Sequence, residues 1–153
     1  MVEEIVGYLQ EVSGHTYDML FDLYFTSERI IVVLIQSPGD VTPSTSWFTL
    51  FISAWGSRRQ EKEKLGEIAS ERRRKSKNLN PDQLLTKGQQ NSQIRFDDIV
   101  SVRVKKSIFL HYNLQFTMSV NGRQFNRNFG IDKEHVDQIQ PLLEKLLPTK
   151  YKK

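Results

Sequence analysis

Apolar and polar side chains alternate along much of the chain with the period of two that is typical of half-buried β-strands. Residues 4–13 show this alternation in part, and residues 17–25 show it strictly, with one richly apolar face. Residues 30–35 are continuously apolar and mostly β-branched, which predicts a strand covered on much of both faces. Because residues 26–29 read as a polar turn, the chain is predicted to open as a three-stranded meander.

A second group of strand patterns begins at residue 94. Ile94 and Phe96 share one face, and Asp97-Asp98 marks a turn or bulge. Residues 100–104 then alternate valine with polar side chains. Residues 112–120 likewise alternate apolar and polar side chains, and Leu114 is one of the apolar ones. With the opening meander, these patterns predict about seven antiparallel strands.

The strongest local signal is Asn121-Gly122, because a type I′ hairpin turn needs two residues that accept positive φ. A two-residue turn here also places Arg127 opposite Phe116 on the apolar face, where we expect its side chain to snorkel outward or stack on a ring. The predicted register pairs Val120 with Arg123, Met118 with Phe125, Thr117 with Asn126, Gln115 with Asn128 and Leu114 with Phe129.

Helical patterns separate the two groups of strands. Residues 47–77 predict a long helix, capped by Ser44 or Ser46 and weakened or broken at Gly56. Residues 81–87 predict a short helix with Asn80 as its N-cap, and Gly88 fits the position just past its end. We therefore interpret residues 41–92 as a helical insertion between the third and fourth strands, one that the rest of the fold does not require.

The last element is an amphipathic helix that begins after Asp132, which is a good N-cap, with Ile131 positioned to contact Val136 across the first turn. Pro141 should kink this helix and Pro148 should end it, leaving residues 149–153 as a basic tail. Its apolar stripe consists of Val136, Ile139, Leu142, Leu143, Leu146 and Leu147.

Composition narrows the class of protein. A chain of 153 residues is long enough for one domain with a real core, and the absence of cysteine excludes disulfides and thiolate chemistry. The acidic start of the chain lacks the features of a signal peptide. The densest apolar block, residues 47–55, is much shorter than the roughly 20 residues of a membrane-spanning helix. We therefore expect a cytoplasmic protein, in one domain spanning residues 1–153.

The net charge of +4 is unevenly distributed. Residues 1–40 carry seven acidic side chains and one basic side chain, Arg29, whereas residues 41–93 carry ten basic and five acidic side chains. A basic insertion in a domain with an acidic first third suggests an anionic partner. The alternative, that the two regions complement each other within the chain or within a dimer, stays open.

The order of elements resembles a pleckstrin-homology-like (PH-like) domain, specifically the GRAM and bacterial PH-like group. The likeness rests on residues 25–33 as a hairpin, residues 94–102 as a central strand pair, and the Asn121-Gly122 hairpin that precedes a terminal helix. It covers residues 4–36 and 93–147. The resemblance implies a strongly bent sheet or barrel closed by the C-terminal helix.

The same resemblance implies a binding module without enzymatic activity, often for membranes or peptides. PH domains that bind phosphoinositides typically use a basic loop between their first two strands. Here that loop is Ser13-Gly14-His15-Thr16, which has no lysine or arginine. We therefore do not expect the usual headgroup site.

No catalytic, cofactor-binding or metal-binding motif stands out. His15, His111 and His135 lack metal-ligand spacing and are expected at the surface. Asp97 and Asp98, being adjacent on a strand, would point to opposite faces rather than form a carboxylate pair. We expect no enzymatic activity and no cofactor.

The insertion is the best candidate for function. Aromatic side chains beside basic ones are what an interfacial helix needs at an anionic membrane. Three alternatives stay open: burial of the aromatic block in the protein's own core or a dimer interface, binding of a protein in the insertion or in a groove between a strand and the terminal helix, and nucleic-acid binding by residues 72–77. The candidate contact residues are Trp47, Phe48, Phe51, Trp55, Arg58, Arg59, Lys62, Arg72, Arg73, Arg74 and Lys75.

Overall fold

The computed structural model describes residues 2–14, 19–37, 58–88, 90–107 and 111–153, and in the helix that begins at Arg58 it describes side chains from Glu67 onward. These residues are mainly β, with three α-helices. The strands are β1 (Ile5–Ser13), β2 (Leu20–Thr26), β3 (Arg29–Gln36), β4 (Ser92–Arg95), β5 (Ile99–Lys106), β6 (Tyr112–Val120), β7 (Arg123–Ile131) and β8 (Tyr151–Lys152). The helices are α1 (Arg58–Ser76), α2 (Pro81–Lys87) and α3 (Lys133–Leu146), with a 3-10 turn at Phe96–Asp98. The predicted mainly β class with a C-terminal helix is confirmed, and helices lie between β3 and β4 as predicted.

The strands form one curled sheet in the order β4-β3-β2-β1-β7-β6-β5-β8. Since β4 and β5 lie near opposite edges but are joined by only the three-residue 3-10 turn, the sheet must bend back on itself. Phe96 lies at this junction: its N–H donates to the Glu28 carbonyl at 3.1 Å, and its carbonyl accepts from Lys150 Nζ at 2.6 Å. The contacts of Phe96 therefore join the two edges of the sheet.

The two halves of the sheet meet between β1 and β7 through a single backbone pairing, Ser13 with Gly130. A Cβ at Gly130 would collide with the Ser13 hydroxyl oxygen, so a larger residue here would require the Ser13 side chain to turn away. Before Ser13, β1 departs from β7, and helix α3 packs nearby, with Leu142 lying against Gly7. The sheet is therefore open and curled, with a helix beside the gap.

One hydrophobic core receives the inward side chains of both halves of the sheet and the apolar stripe of α3. Asp132 caps α3 as predicted, accepting from the His135 N–H at 2.8 Å. Helix α3 contains Pro141 and ends at Leu146, so the predicted stop at Pro148 is confirmed. Fully buried members of the core include Leu23, Phe25, Ile30, Val102, Leu114, Phe116, Phe129 and Ile139.

The predicted β6–β7 hairpin is confirmed in every pairing. Asn121 and Gly122 have φ values of 53° and 78°, as the type I′ turn requires. Arg127 lies opposite Phe116, and its Cζ is 5.4 Å from the centre of the Phe129 ring. The guanidinium therefore stacks on a ring, as expected.

Helices α1 and α2 cover the outer face of β3. Ile31 and Val33 point away from the main core, yet they are buried in a second cluster with Leu84 of α2. Tyr24 and Leu79 pack against this cluster. The prediction that β3 is covered on both faces is confirmed. The described part of the insertion therefore packs on the sheet; whether the fold requires the insertion stays a prediction.

The prediction for the tail needs correction, and part of the predicted long helix lies outside the described residues. Residues 149–153 are not simply a tail, because β8 pairs in parallel with β5 and the Val102 N–H donates to the Lys150 carbonyl at 2.9 Å. Gly88 lies just past the end of α2, as predicted; its backbone is extended, and its missing side chain leaves space for Asn91. Of the long helix predicted at residues 47–77, α1 confirms the part from Arg58; the earlier part lies outside the described residues.

Arg29 ties the start of the chain to the insertion. Its guanidinium donates to Glu3 at 2.8 Å, to Asp82 of α2 at 2.6 Å and to Gln93 of β4 at 2.7 Å. Hydrogen bonding to Arg29 holds the pKa of the Glu3 carboxyl below its ordinary value. The one basic side chain in the acidic first third is therefore already engaged with acidic groups.

Candidate functional site

The last turns of α1 carry the densest group of basic residues in the described structure. From Glu67 onward the helix buries Ala69 and half-buries Ile68, so this side rests on the sheet. Glu71 and Lys75 form an i,i+4 pair, with 3.3 Å between Lys75 Nζ and Glu71 Oε1. Basic side chains at the end of a helix also complement its dipole, which helps α1 to persist to Ser76.

Arg73 fixes this helix to the sheet through Asp22 of β2. Arg73 Nε lies 2.7 Å from Asp22 Oδ2, and its Nη2 lies 3.1 Å from Asp22 Oδ1. The Asp22 side chain is only 1% exposed. Hydrogen bonding to this carboxylate raises the pKa of the Arg73 guanidinium. A two-pronged, charge-assisted contact at a buried carboxylate is among the strongest polar contacts a protein forms.

A bulge in β1 completes the surroundings of Asp22. Leu9 pairs with Leu23 and Val12 with Phe21, so two residues of β1 lie opposite Asp22 alone. One of them, Glu11, has a φ of 58°, which is uncommon for a residue other than glycine. This conformation lets the Glu11 N–H donate to Asp22 Oδ1 at 3.0 Å. The bulge therefore supplies a backbone N–H donor to the buried Asp22 carboxylate, which would otherwise have one hydrogen bond fewer.

The backbone carbonyl of Gln10, the other bulge residue, accepts a hydrogen bond from His135 of the terminal helix α3. His135 Nδ1 accepts from the Asp132 N–H at 3.2 Å, so its Nε2 carries the proton and donates to the Gln10 carbonyl at 2.6 Å. The His135 side chain is only 15% exposed. The expectation of a surface side chain is therefore wrong for His135, because its ring caps α3 and joins it to β1.

Arg72 provides a second anchor, since its Nη1 donates to the Ile35 carbonyl of β3 at 2.8 Å. Arg72 and Arg73 thus face the sheet, whereas Arg74, Lys75 and Lys77 are exposed to solvent. The basic run at residues 72–77 is therefore divided into a pair that holds the helix in place and a trio that faces outward. We call Arg74, Lys75 and Lys77 the exposed trio.

The structure locates only some of the predicted contact residues. Arg58, Arg59 and Lys62 lie in α1, with side chains outside the described part. Arg74 and Lys75 are at the surface, and Lys77 is added to them. The four aromatic candidates, Trp47, Phe48, Phe51 and Trp55, lie outside the described residues.

Sequence reasoning missed the role of Asp22. Its period-two position placed it on the polar face of β2, where an exposed side chain would be ordinary. The available signal was the charge imbalance between residues 1–40 and the insertion, because a basic segment that packs on an acidic one can neutralise it internally. Arg73 does so in part, with Nη2 also lying 3.3 Å from Glu11 Oε1.

Other kinds of site find no support in the described part of the chain. No three histidine, aspartate or glutamate side chains there are grouped so that they could hold a metal ion. Nor does any helix there have the length and apolar character needed to cross a membrane. The chain matches no protein-family model, and the search of curated proteins found no similar protein.

Proposed function

We propose that this protein is a non-enzymatic PH-like interaction module that attaches peripherally to anionic membranes through its helical insertion. The PH-like assignment is supported by two antiparallel groups of strands that share one core, and by a C-terminal helix packed into that core. A module of this kind acts by binding, and its contact surface can lie on an insertion rather than on a loop of the sheet.

One observation carries the membrane proposal: the exposed trio lies at and just past the end of a helix that is anchored to the sheet by Arg72 and Arg73. An anchored helix presents its basic side chains without having to be ordered first on binding. Each lysine or arginine near an anionic bilayer contributes about 1 kcal/mol to binding. In the sequence, the same helix follows the block bracketed by Trp47 and Trp55, whose rings would enter the headgroup region.

The first three strands offer a poor alternative surface for anionic lipid. Arg29, their one basic residue, is engaged by Glu3 and Asp82. The described part of the β1–β2 loop, around Ser13 and Gly14, contains no cation. Electrostatic attraction to an anionic surface therefore favours the insertion over this edge of the fold.

The proposal predicts that the variant Arg74→Gln/Lys75→Gln/Lys77→Gln binds anionic vesicles much more weakly. At about 1 kcal/mol per cation, the partition coefficient should fall by about two orders of magnitude at low salt. Co-sedimentation with vesicles of phosphatidylserine and phosphatidylcholine measures this change, and vesicles of phosphatidylcholine alone provide the uncharged reference.

The matched control is Lys105→Gln/Lys106→Gln/Lys152→Gln, which removes three exposed cations from β5 and β8. Both triple variants have the same net charge, so a difference between them reports position rather than total charge. Equal losses in the two variants, or no sedimentation of the unmodified protein at low salt, would contradict the proposal.

A further inference from the structure

The inward-facing positions of β7 alternate between arginine and phenylalanine as the strand runs away from the core. Phe129 is buried, Arg127 is half-buried, Phe125 is 48% exposed, and Arg123 is exposed at the hairpin tip. The register that pairs Phe125 with Met118 was predicted correctly. What the register does not show is that the core ends between Phe129 and Phe125, which leaves Phe125 about half exposed between two arginines.

Arg127 differs from the other arginines that the structure embeds in the fold. Arg29 and Arg73 each contact carboxylates. Among the described residues, Arg127 forms no ion pair; it donates from Nη2 to Ser92 Oγ at 2.7 Å and lies over the Phe129 ring. Partial burial lowers the pKa of the Arg127 guanidinium. A desolvated cation is costly unless it is paired with an anion.

The Ser92 and Phe129 contacts also hold the Arg127 side chain in a defined position. A guanidinium has five N–H donors, and the described contact uses one of them. The group is thus oriented and able to donate further hydrogen bonds to an anion. Same-face neighbours on a strand are about 7 Å apart, so Arg123 and Arg127 lie about that far to either side of Phe125.

We propose that Arg123, Phe125 and Arg127 form a nucleotide-binding face, in which a base stacks on Phe125 and adjoining phosphates pair with the two arginines. Aromatic rings beside cations are the combination that proteins use for single-stranded nucleic acid. A bilayer surface fits less well, because it is broad and flat, whereas Arg127 is recessed and tied to Ser92 on another strand. A single nucleic-acid strand is narrow enough to reach both groups, and its successive phosphates can lie on either side of the stacked base.

Binding of a fluorescently labelled oligothymidylate of about twelve nucleotides, followed by anisotropy at low salt, tests this proposal. Phe125→Leu keeps an apolar side chain but removes the aromatic face, so affinity should fall by about tenfold or more. Phe125→Trp should bind at least as tightly as the unmodified protein. Gln124→Leu changes the adjacent exposed residue on the opposite face of β7 and should leave affinity unchanged.

Arg127→Gln should also weaken binding, and urea unfolding of the same variant checks that the fold is retained. Adenosine monophosphate carries one phosphate and should compete poorly, because it cannot pair with both arginines; displacement of the oligonucleotide by micromolar adenosine monophosphate would contradict the proposal. The proposal is overturned if the unmodified protein does not bind the oligonucleotide, if Phe125→Leu binds as tightly as the unmodified protein, or if Phe125→Leu loses phosphatidylserine vesicle binding instead.

Failure of the membrane proposal can be told apart from failure of this one. In the variant Arg74→Gln/Lys75→Gln/Lys77→Gln, adding Phe125→Leu should still weaken oligonucleotide binding.

Discussion

Replacing Arg73 by methionine is expected to lower the free energy of unfolding by about 3 kcal/mol. Removing one partner of a buried ion pair costs about 3–5 kcal/mol, because the other charge is left uncompensated. Asp22 is 1% exposed and, among the described residues, would keep only the Glu11 N–H as a donor. We expect the lower end of the range because the Arg73 side chain is itself 24% exposed and solvent screens part of the interaction.

Urea unfolding followed by circular dichroism measures this effect, with Arg74→Met as the matched control on the exposed side of the same helix. The control should change stability by no more than about 0.5 kcal/mol. Asp22→Asn keeps an oxygen acceptor for Glu11, so adding it to Arg73→Met should recover part of the loss. Equal effects of Arg73→Met and Arg74→Met would show that the ion pair does not anchor α1.

Leu84→Ala should lower the free energy of unfolding by about 2–5 kcal/mol, because it leaves a cavity between α2 and β3. Leu84 is 1% exposed and shares its cluster with Ile31 and Val33; these three are the buried members of the cluster in the part of the chain that the structure describes. The neighbouring Leu85 is half-buried, so Leu85→Ala is the matched control and should cost less. Thermal or urea unfolding of both variants provides the comparison. Equal losses would indicate that α2 does not cover the sheet through Leu84.

Local patterns accounted for most of the strands. The register of β6 and β7 could be predicted pair by pair, because Asn121-Gly122 fixes the turn and period-two alternation then fixes every later pairing. The caps at Asn80 and Asp132 were equally accessible, since a capping side chain bonds to a backbone group only three residues away. These features depend on chemistry within a short stretch of chain.

Contacts between distant residues could not be predicted in the same way. The Arg73–Asp22 ion pair joins residues 51 positions apart. It also depends on the bulge at Glu11, for which no sequence pattern gave a signal. The two-residue strand β8 is too short to show alternation and exists because it lies beside β5. Likewise, the exposure of Phe125 depends on where the core ends rather than on the residue pattern of β7.

The candidate site was predictable only in outline. Charge density identified residues 72–77, but helical geometry and the contacts of Arg72 and Arg73 decided which of these side chains face solvent. A run of like charges does not show by itself which members hold the fold together. That division followed from two acceptors on the sheet, Asp22 and the Ile35 carbonyl.

Membrane contact through the insertion can be tested most directly with the two native tryptophans. Trp47 and Trp55 are the only ones in the chain, so the protein's tryptophan emission reports on the aromatic block alone. With vesicles of phosphatidylserine and phosphatidylcholine that carry brominated acyl chains, the proposal predicts a blue shift and quenching of this emission at low salt. Both effects should weaken as salt is raised, because salt screens the attraction of the basic side chains. An emission spectrum that the vesicles leave unshifted and unquenched at low salt would contradict the proposal.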